Sequence, residues 1–203
     1  MIREKSGLPH SMRGLEKFIQ VLPTNSTVLD IGAGQEDYSE LIRNAGHEVD
    51  TVDFFDTSTF TGDYNLLIIP RVYDGIWISH VLEQQLNPNL FLTKVNSNLK
   101  EDGWLAITVP PLQNIMVSRN FTLWNGGILL YHLVMAGFNC RYAKVKTYDY
   151  NISVVVQKKS IDLSELINGD LRAAAKYLPE HLPARNHKGQ FDGHIKEINW
   201  EGQ

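Results

Sequence analysis

The segment Val28-Leu29-Asp30-Ile31-Gly32-Ala33-Gly34 carries an apolar run, an acid and two glycines one residue apart. An apolar strand that ends in such a turn and runs into a helix brings bare backbone close to whatever lies across the strand ends. About twenty residues further on, Asp53 closes a second apolar run, where a carboxylate can accept hydrogen bonds from both hydroxyls of a ribose. Gly-x-Gly alone says little. With a strand before it, a helix after it and an acid at the end of the next strand, it points to a cofactor built on a nucleoside.

The residues after the glycines bear on which nucleoside. A dinucleotide site needs a third small residue and sets a pyrophosphate on the helix N-terminus. Here that place holds Asp37, with Glu36 beside it. Two carboxylates repel a pyrophosphate. They do not repel S-adenosylmethionine (SAM), which has no phosphate and carries a sulfonium cation. Asp30 is placed for the amino group of such a cofactor, and Asp37 also reads as a helix cap.

The elements that must position these residues follow from periodicity. Leu15, Phe18, Ile19 and Leu22 recur at helical spacing and predict a helix over 11–22. Thr27 to Ile31 and His47 to Asp53 read as strands flanking a helix that starts near Asp37 and Glu40 and stops at Ala45-Gly46. Tyr73 to Ile78 is another strand. Asn87-Pro88 opens a helix with a cap and a first-turn proline, and Leu92, Val95 and Leu99 form its buried stripe. Asp102-Gly103 turns into the strand Trp104 to Val109. An apolar helix over about 127–136 and two strands, 138–147 and 152–158 around Asp149, complete the pattern. The alternation predicts an α/β domain with a mostly parallel sheet covered on both faces. Residues 1–160 form that domain; 161–203 read as an appendage packed on it, with helical character over 163–178 and a polar stretch from His181.

On these residues the chain resembles the class I, Rossmann-like, SAM-dependent methyltransferases over about residues 10 to 158. Tyr73-Asp74-Gly75-Ile76-Trp77-Ile78-Ser79-His80-Val81-Leu82-Glu83 is similar to that family's fourth-strand motif, and Leu99-Lys100-Glu101-Asp102-Gly103-Trp104-Leu105 to its turn into the fifth strand. The resemblance implies a seven-stranded sheet with an antiparallel last strand at 152–158. It implies that Asp30, Gly32, Ala33, Gly34, Asp53 and Phe54 hold the cofactor, that Gly62-Asp63-Tyr64 meets the adenine, and that Ser79 and His80 lie at its methionine end. Gln84 departs from the pattern, since many relatives have a second histidine there.

His80 is the candidate general base for a substrate hydroxyl, or else lines the cofactor pocket without taking a proton. Glu83 reads chiefly as helix-face structure and His132 as a core histidine. The loop after the fifth strand holds Arg119, Asn120, Trp124 and Asn125, a polar and aromatic mixture suited to a hydroxylated acceptor such as a sugar or nucleotide-sugar: Trp124 stacks on a face, amides bond hydroxyls and Arg119 meets an anionic group. Trp124 reads equally as the start of a helix's buried stripe. O-methylation of such a small molecule is the expected activity. A nucleic-acid methyltransferase is the first alternative and a silent SAM-binding or assembly protein the second.

Composition sets bounds. The 203 residues are 43% hydrophobic and 21% charged, with a net charge of -4, a balance that argues against sequence-independent nucleic-acid binding. His181, His187 and His194 match no familiar metal-ligand spacing, so no metal is expected. Cys140 is alone, so no intrachain disulfide forms. Met1 to Lys5 lacks an apolar signal region, and no apolar run reaches the length of a membrane span. A cytoplasmic protein without membrane partners is the expectation; the oligomeric state is left open.

Overall fold

The computed structural model describes residues 10–35, 37–166, 168–182 and 189–201. In chain order the elements are α1 (Met12–Val21), β1 (Thr27–Ile31), α2 (Asp37–Asn44), β2 (Glu48–Asp53), β3 (Phe60–Thr61), β4 (Tyr73–Ser79), α3 (Pro88–Asn98), β5 (Leu99–Val109), α4 (Gly126–Met135), β6 (Lys144–Tyr148), β7 (Asn151–Gln157), α5 (Leu171–Ala174) and β8 (Glu197–Ile198). Short 3-10 turns occur at Leu82–Gln84, Leu163–Leu166 and Ala175–Tyr177.

One sheet holds all the strands in the order β3-β2-β1-β4-β5-β7-β6-β8. The first five are parallel to one another; β7 runs antiparallel between β5 and β6. The antiparallel last strand of the expected seven-stranded sheet is therefore present at Asn151–Gln157, and an eighth, two-residue strand joins the edge at β6. This sheet sorts its side chains by the pleat. Trp77, Ala106 and Val155 face α1 and α2, where Trp77 packs against Phe18 and Tyr38 with ring centroids 5.8 and 5.3 Å apart. Ile76, Ile78, Leu105, Ile107, Val154 and Val156 face the other way, onto Phe91, Leu92 and Val95 of α3 and Leu129, Leu130 and Leu133 of α4.

Local sequence explains most boundaries. Asn87 caps α3 by accepting the Leu90 N–H at 3.3 Å, and Asn125 caps α4 by accepting the Ile128 N–H at 2.8 Å. The strand expected over 138–147 begins only at Lys144, because residues 140–143 form a turn closed by Ala143 N–H on the Cys140 carbonyl at 3.0 Å. β5 starts earlier than expected, at Leu99, and passes through Asp102 in a left-handed conformation (φ 65°). The helical character of 163–178 is broken into a four-residue helix between two 3-10 turns.

The final residues have a packing role. Ile195 and Trp200 are buried, the Thr147 hydroxyl donates to the Ile195 carbonyl at 2.6 Å, and β8 pairs with β6. Among the described residues, no helix is long and apolar enough to cross a membrane.

β4 lies tight under α1 at Gly75, where a methyl group would sit 2.7 Å from Leu22 Cδ2 and 2.8 Å from Phe18 Cζ. Gly75→Ala is expected to destabilise the fold by about 1–3 kcal/mol through overpacking. Urea unfolding followed by circular dichroism measures it; an unchanged midpoint would refute so tight a contact.

Candidate functional site

Because β1, β2, β4 and β5 are parallel, their carboxyl ends meet at one edge of the sheet. Antiparallel β7 brings its first residue, Asn151, to the same edge, and the turn before it brings Tyr150. A ligand of an open α/β sheet binds in the crevice at this edge.

The turn after β1 is held by β2. The N–H groups of Gly32 and Ala33 donate to the Val52 carbonyl at 2.8 and 3.3 Å, and Gly34 N–H donates to Asp53 Oδ2 at 2.9 Å. Gly32 has φ 79°, and a Cβ there would stand 2.2 Å from Val81 Cγ2, so only glycine fits. Asp53 Oδ1 accepts the Phe54 N–H at 2.6 Å. Each carboxylate oxygen therefore has one backbone partner and keeps a lone pair for a ribose hydroxyl. Phe54 is 74% exposed at the mouth, beside a cleft lined by Ile31, Val52, Asp53, Gly62, Asp63, Tyr64, Val81 and Phe91.

Asp63 lies on the far wall of that cleft. Its Oδ1 accepts from Asn65 N–H at 2.9 Å and Asn65 Nδ2 at 3.0 Å, and Asn65 Nδ2 also donates to Gln85 Oε1 at 2.9 Å. Lys94 of α3 anchors the segment through the Tyr64 and Leu67 carbonyls. The Tyr64 side chain turns inward: it is buried against Phe91, and its hydroxyl donates to Asn98 Oδ1 at 2.8 Å. Only the backbone of Tyr64 is left for a ligand. Asp30 also turns inward, accepting the Ser39 hydroxyl at 2.5 Å and tying α2 to β1. Ala33 is buried in the turn.

At the end of β4, the Ser79 hydroxyl is hydrogen-bonded to that of Ser11 at 2.8 Å. His80 has φ 56°, with its N–H on the Thr108 carbonyl at 2.9 Å and its carbonyl accepting Gln84 Nε2 at 2.6 Å. Gln84, the departure from the family pattern, thus holds the backbone of His80. The imidazole Nε2 meets Asn151 Oδ1 at 2.9 Å, Nδ1 faces Glu83 Oε1 at 3.5 Å, and the ring lies parallel to Tyr150. Burial alone would lower its pKa, but Glu83 and the Asn151 bond outweigh burial, so the net shift is upward from 6.5.

The loop after β5 gives a mixed outcome. Trp124 is 1% exposed, its indole N–H donates to the Thr122 hydroxyl at 2.9 Å, and its ring packs edge-on against His132. It offers no face for stacking, which corrects the sugar-platform reading in favour of the buried-stripe one. Asn125 is the α4 cap, its Oδ1 taken by Ile128 N–H. Arg119 is exposed, with φ 71° and no ion pair among the described residues; Asn120 is half-buried. Asn120, but not Arg119, lines a small pocket together with Pro110, Pro111, Ile115, Met116, Val117, Leu123 and Tyr150. Sequence reasoning missed Tyr150, Asn151 and this apolar set. The run Ile115-Met116-Val117 inside a polar stretch was the available signal; the approach of Tyr150 and Asn151 depends on strand order and had none. Glu36 and His187 lie outside the described residues, and no group of three metal-ligating side chains occurs among those described.

A methyltransferase-domain family model matches residues 8–144. No curated protein sequence matches the chain. Among solved structures, similarity extends to a Burkholderia thailandensis 1,6-didemethyltoxoflavin-N1-methyltransferase with bound 1,6-didemethyltoxoflavin and S-adenosylhomocysteine. It is 16% identical, with TM-score 0.60, over 72% of this chain and 79% of that one. A SAM-dependent methyltransferase from Archaeoglobus fulgidus is 17% identical, with TM-score 0.61, over 71% of this chain and 91% of that one. A mitomycin 7-O-methyltransferase is 13% identical, with TM-score 0.57, over 73% of this chain and 54% of that one. The glycine turn closed by Val81, the Asp53 carboxylate with lone pairs to spare and the apolar cleft between them fit an adenosyl group. The chain belongs to the methyltransferase-domain family, and its fold is that of the SAM-dependent methyltransferases it resembles.

Proposed function

We propose that the protein methylates an oxygen of a small hydroxylated molecule whose ring system has apolar faces, with His80 as general base. The observation that carries this reading is the pocket of Pro110, Pro111, Ile115, Met116, Val117 and Leu123, which shares Tyr150 with the His80 ring. A sugar was expected on the strength of Trp124 stacking. With Trp124 buried, the remaining surface favours a ring bearing apolar faces, while Asn120 is left to bond a hydroxyl and Arg119 an anionic substituent. A nucleic-acid acceptor suits this surface poorly, because the net charge is -4 and phosphate contacts need clustered cations.

The cofactor supplies a methyl group already activated on sulfur. The chain's own work is to bind, align and remove a proton. Asp53 would accept the ribose hydroxyls, the turn at Gly32 and Gly34 would lie under the nucleoside, Asp63 and the Tyr64 backbone would meet the base, and Phe54 would cover it. Ser79 and His80 would stand at the reacting end.

A second reading, a SAM binder without turnover, is favoured by one observation: both His80 ring nitrogens already face protein groups. Radiolabelled methyl transfer to panels of phenolic, heteroaromatic and sugar hydroxyl compounds separates the two. Turnover of a ring compound with apolar faces supports the proposal, and a silent panel with intact S-adenosylhomocysteine binding supports the second reading.

Two variants test the placement. Asp53→Ala removes a charged acceptor whose hydrogen bonds are worth about 1.5–3 kcal/mol each. S-adenosylhomocysteine affinity by calorimetry should therefore fall at least tenfold, and an unchanged affinity would remove Asp53 from the site. Ile115→Asp combined with Leu123→Asp should leave that affinity alone and raise the acceptor KM by about tenfold or more, as expected from losing apolar burial. Equal turnover in parent and double variant would move the acceptor elsewhere.

A further inference from the structure

Glu83 lies in the 3-10 turn just after His80 and is 2% exposed. Its Oε1 faces His80 Nδ1 at 3.5 Å; its Oε2 is buried and meets no hydrogen-bond partner. A carboxylate so withdrawn from water is costly unless a cation or a proton faces it.

The other side of the ring is committed. Asn151 is fully buried, and its Nδ2 donates to the His10 carbonyl at 3.1 Å. That fixes the amide, so Oδ1 is the atom 2.9 Å from His80 Nε2, and Nε2 must carry the hydrogen. In the neutral ring the lone pair is then on Nδ1, beside Glu83. Tyr150 sets the plane of the ring, parallel within 4° at 6.5 Å between centroids. The left-handed backbone of His80 is an uncommon conformation for a non-glycine residue, of the kind that surrounding structure must enforce. Glu83 also reaches the acceptor loop: its carbonyl accepts Phe121 and Thr122 N–H at 2.8 and 3.1 Å.

We propose that Glu83 is the positioning residue of the reaction: it orients the His80 imidazole with Nδ1 as proton acceptor and stabilises the imidazolium formed there. This rests on the reading of His80 as base. In the step concerned, the acceptor oxygen bonds to the methyl carbon as the carbon–sulfur bond breaks, its electron pair staying on sulfur. The hydroxyl proton passes to Nδ1. One positive charge thus leaves sulfur and one appears on His80, against the buried carboxylate. The groups facing the ring are Glu83 from its own segment, Tyr150 from the turn before β7, Asn151 from the start of β7, and His10 through Asn151; Glu83 is the anion among them.

The test needs no acceptor. With histidine ring carbons and nitrogens labelled, NMR follows His80 across pH in the presence of saturating S-adenosylhomocysteine. In the parent, long-range nitrogen–proton correlations should show the hydrogen on Nε2 above the midpoint, and the midpoint should lie above 6.5. Glu83→Gln keeps the size and removes the charge; its midpoint should fall by about one pH unit, with S-adenosylhomocysteine affinity unchanged. Glu83→Asp should recover part of the shift. A hydrogen on Nδ1 in the neutral parent overturns the proposal even if the Gln variant fails to fold. So does an unmoved midpoint in a folded Glu83→Gln protein. Failure of the parent to bind S-adenosylhomocysteine instead overturns the functional reading beneath it, so the two failures are distinguishable.

Discussion

The carboxyl edge of this sheet depends on how the backbone N–H groups of residues 32–34 are satisfied. Backbone donors turned toward a neighbouring strand need partners, and here β2 supplies all three: the Val52 carbonyl for Gly32 and Ala33, the Asp53 carboxylate for Gly34. One strand end thereby shapes the glycine turn and aims the Asp53 carboxylate, the two features proposed to hold the cofactor. The turn closes against Val81, in the segment after β4, which is why a side chain at position 32 has nowhere to go. From this contact the remaining parts can be traced outward, since Val81 follows His80 directly and Glu83 lies in the same short turn.

Around that edge the polar groups divide into those spent on the fold and those left over. Asp30 holds Ser39, Tyr64 holds Asn98, Asn125 caps α4 and Trp124 bonds Thr122. Each is satisfied internally, which is what burial demands. Asp53, Arg119, Asn120 and the His80–Glu83 pair remain with unfilled capacity at the cleft or its rim. Methyl transfer asks for little more: an aligned nucleophile, a dry setting and an outlet for one proton. In the proposed reaction the apolar residues of the 111–124 loop would serve the second of these, and the histidine–glutamate pair the third.

Much of the candidate site is legible in the sequence alone. Gly32, Gly34 and Asp53 announce themselves because strand, turn and helix are local in sequence and leave a period and punctuation that can be read. Other residues were legible by type but not by direction. Asp30, Tyr64 and Trp124 could each face a ligand or the core; what decides is the pleat of a strand or the neighbour across a loop, and a shift of one position reverses the face. Glu83 has helix-surface composition and spacing, yet it is buried because residues 82–84 form a 3-10 turn covered by the 121–122 segment.

By itself, then, the sequence determined the α/β alternation, the antiparallel hairpin at the end of the sheet, the glycine turn after β1 and the acid at the end of β2, since each is written in contiguous residues. Tertiary structure alone decided that Asn151, 71 positions from His80, meets its imidazole, that Tyr150 stacks on it, and that the tail adds an edge strand through Glu197–Ile198. The reason is the strand order: β7 inserts between β5 and β6 and runs against β5. No local periodicity encodes which strand lies beside which. That follows from burying both faces of one sheet at once, and it is this packing that carries residues distant in the chain to a single edge.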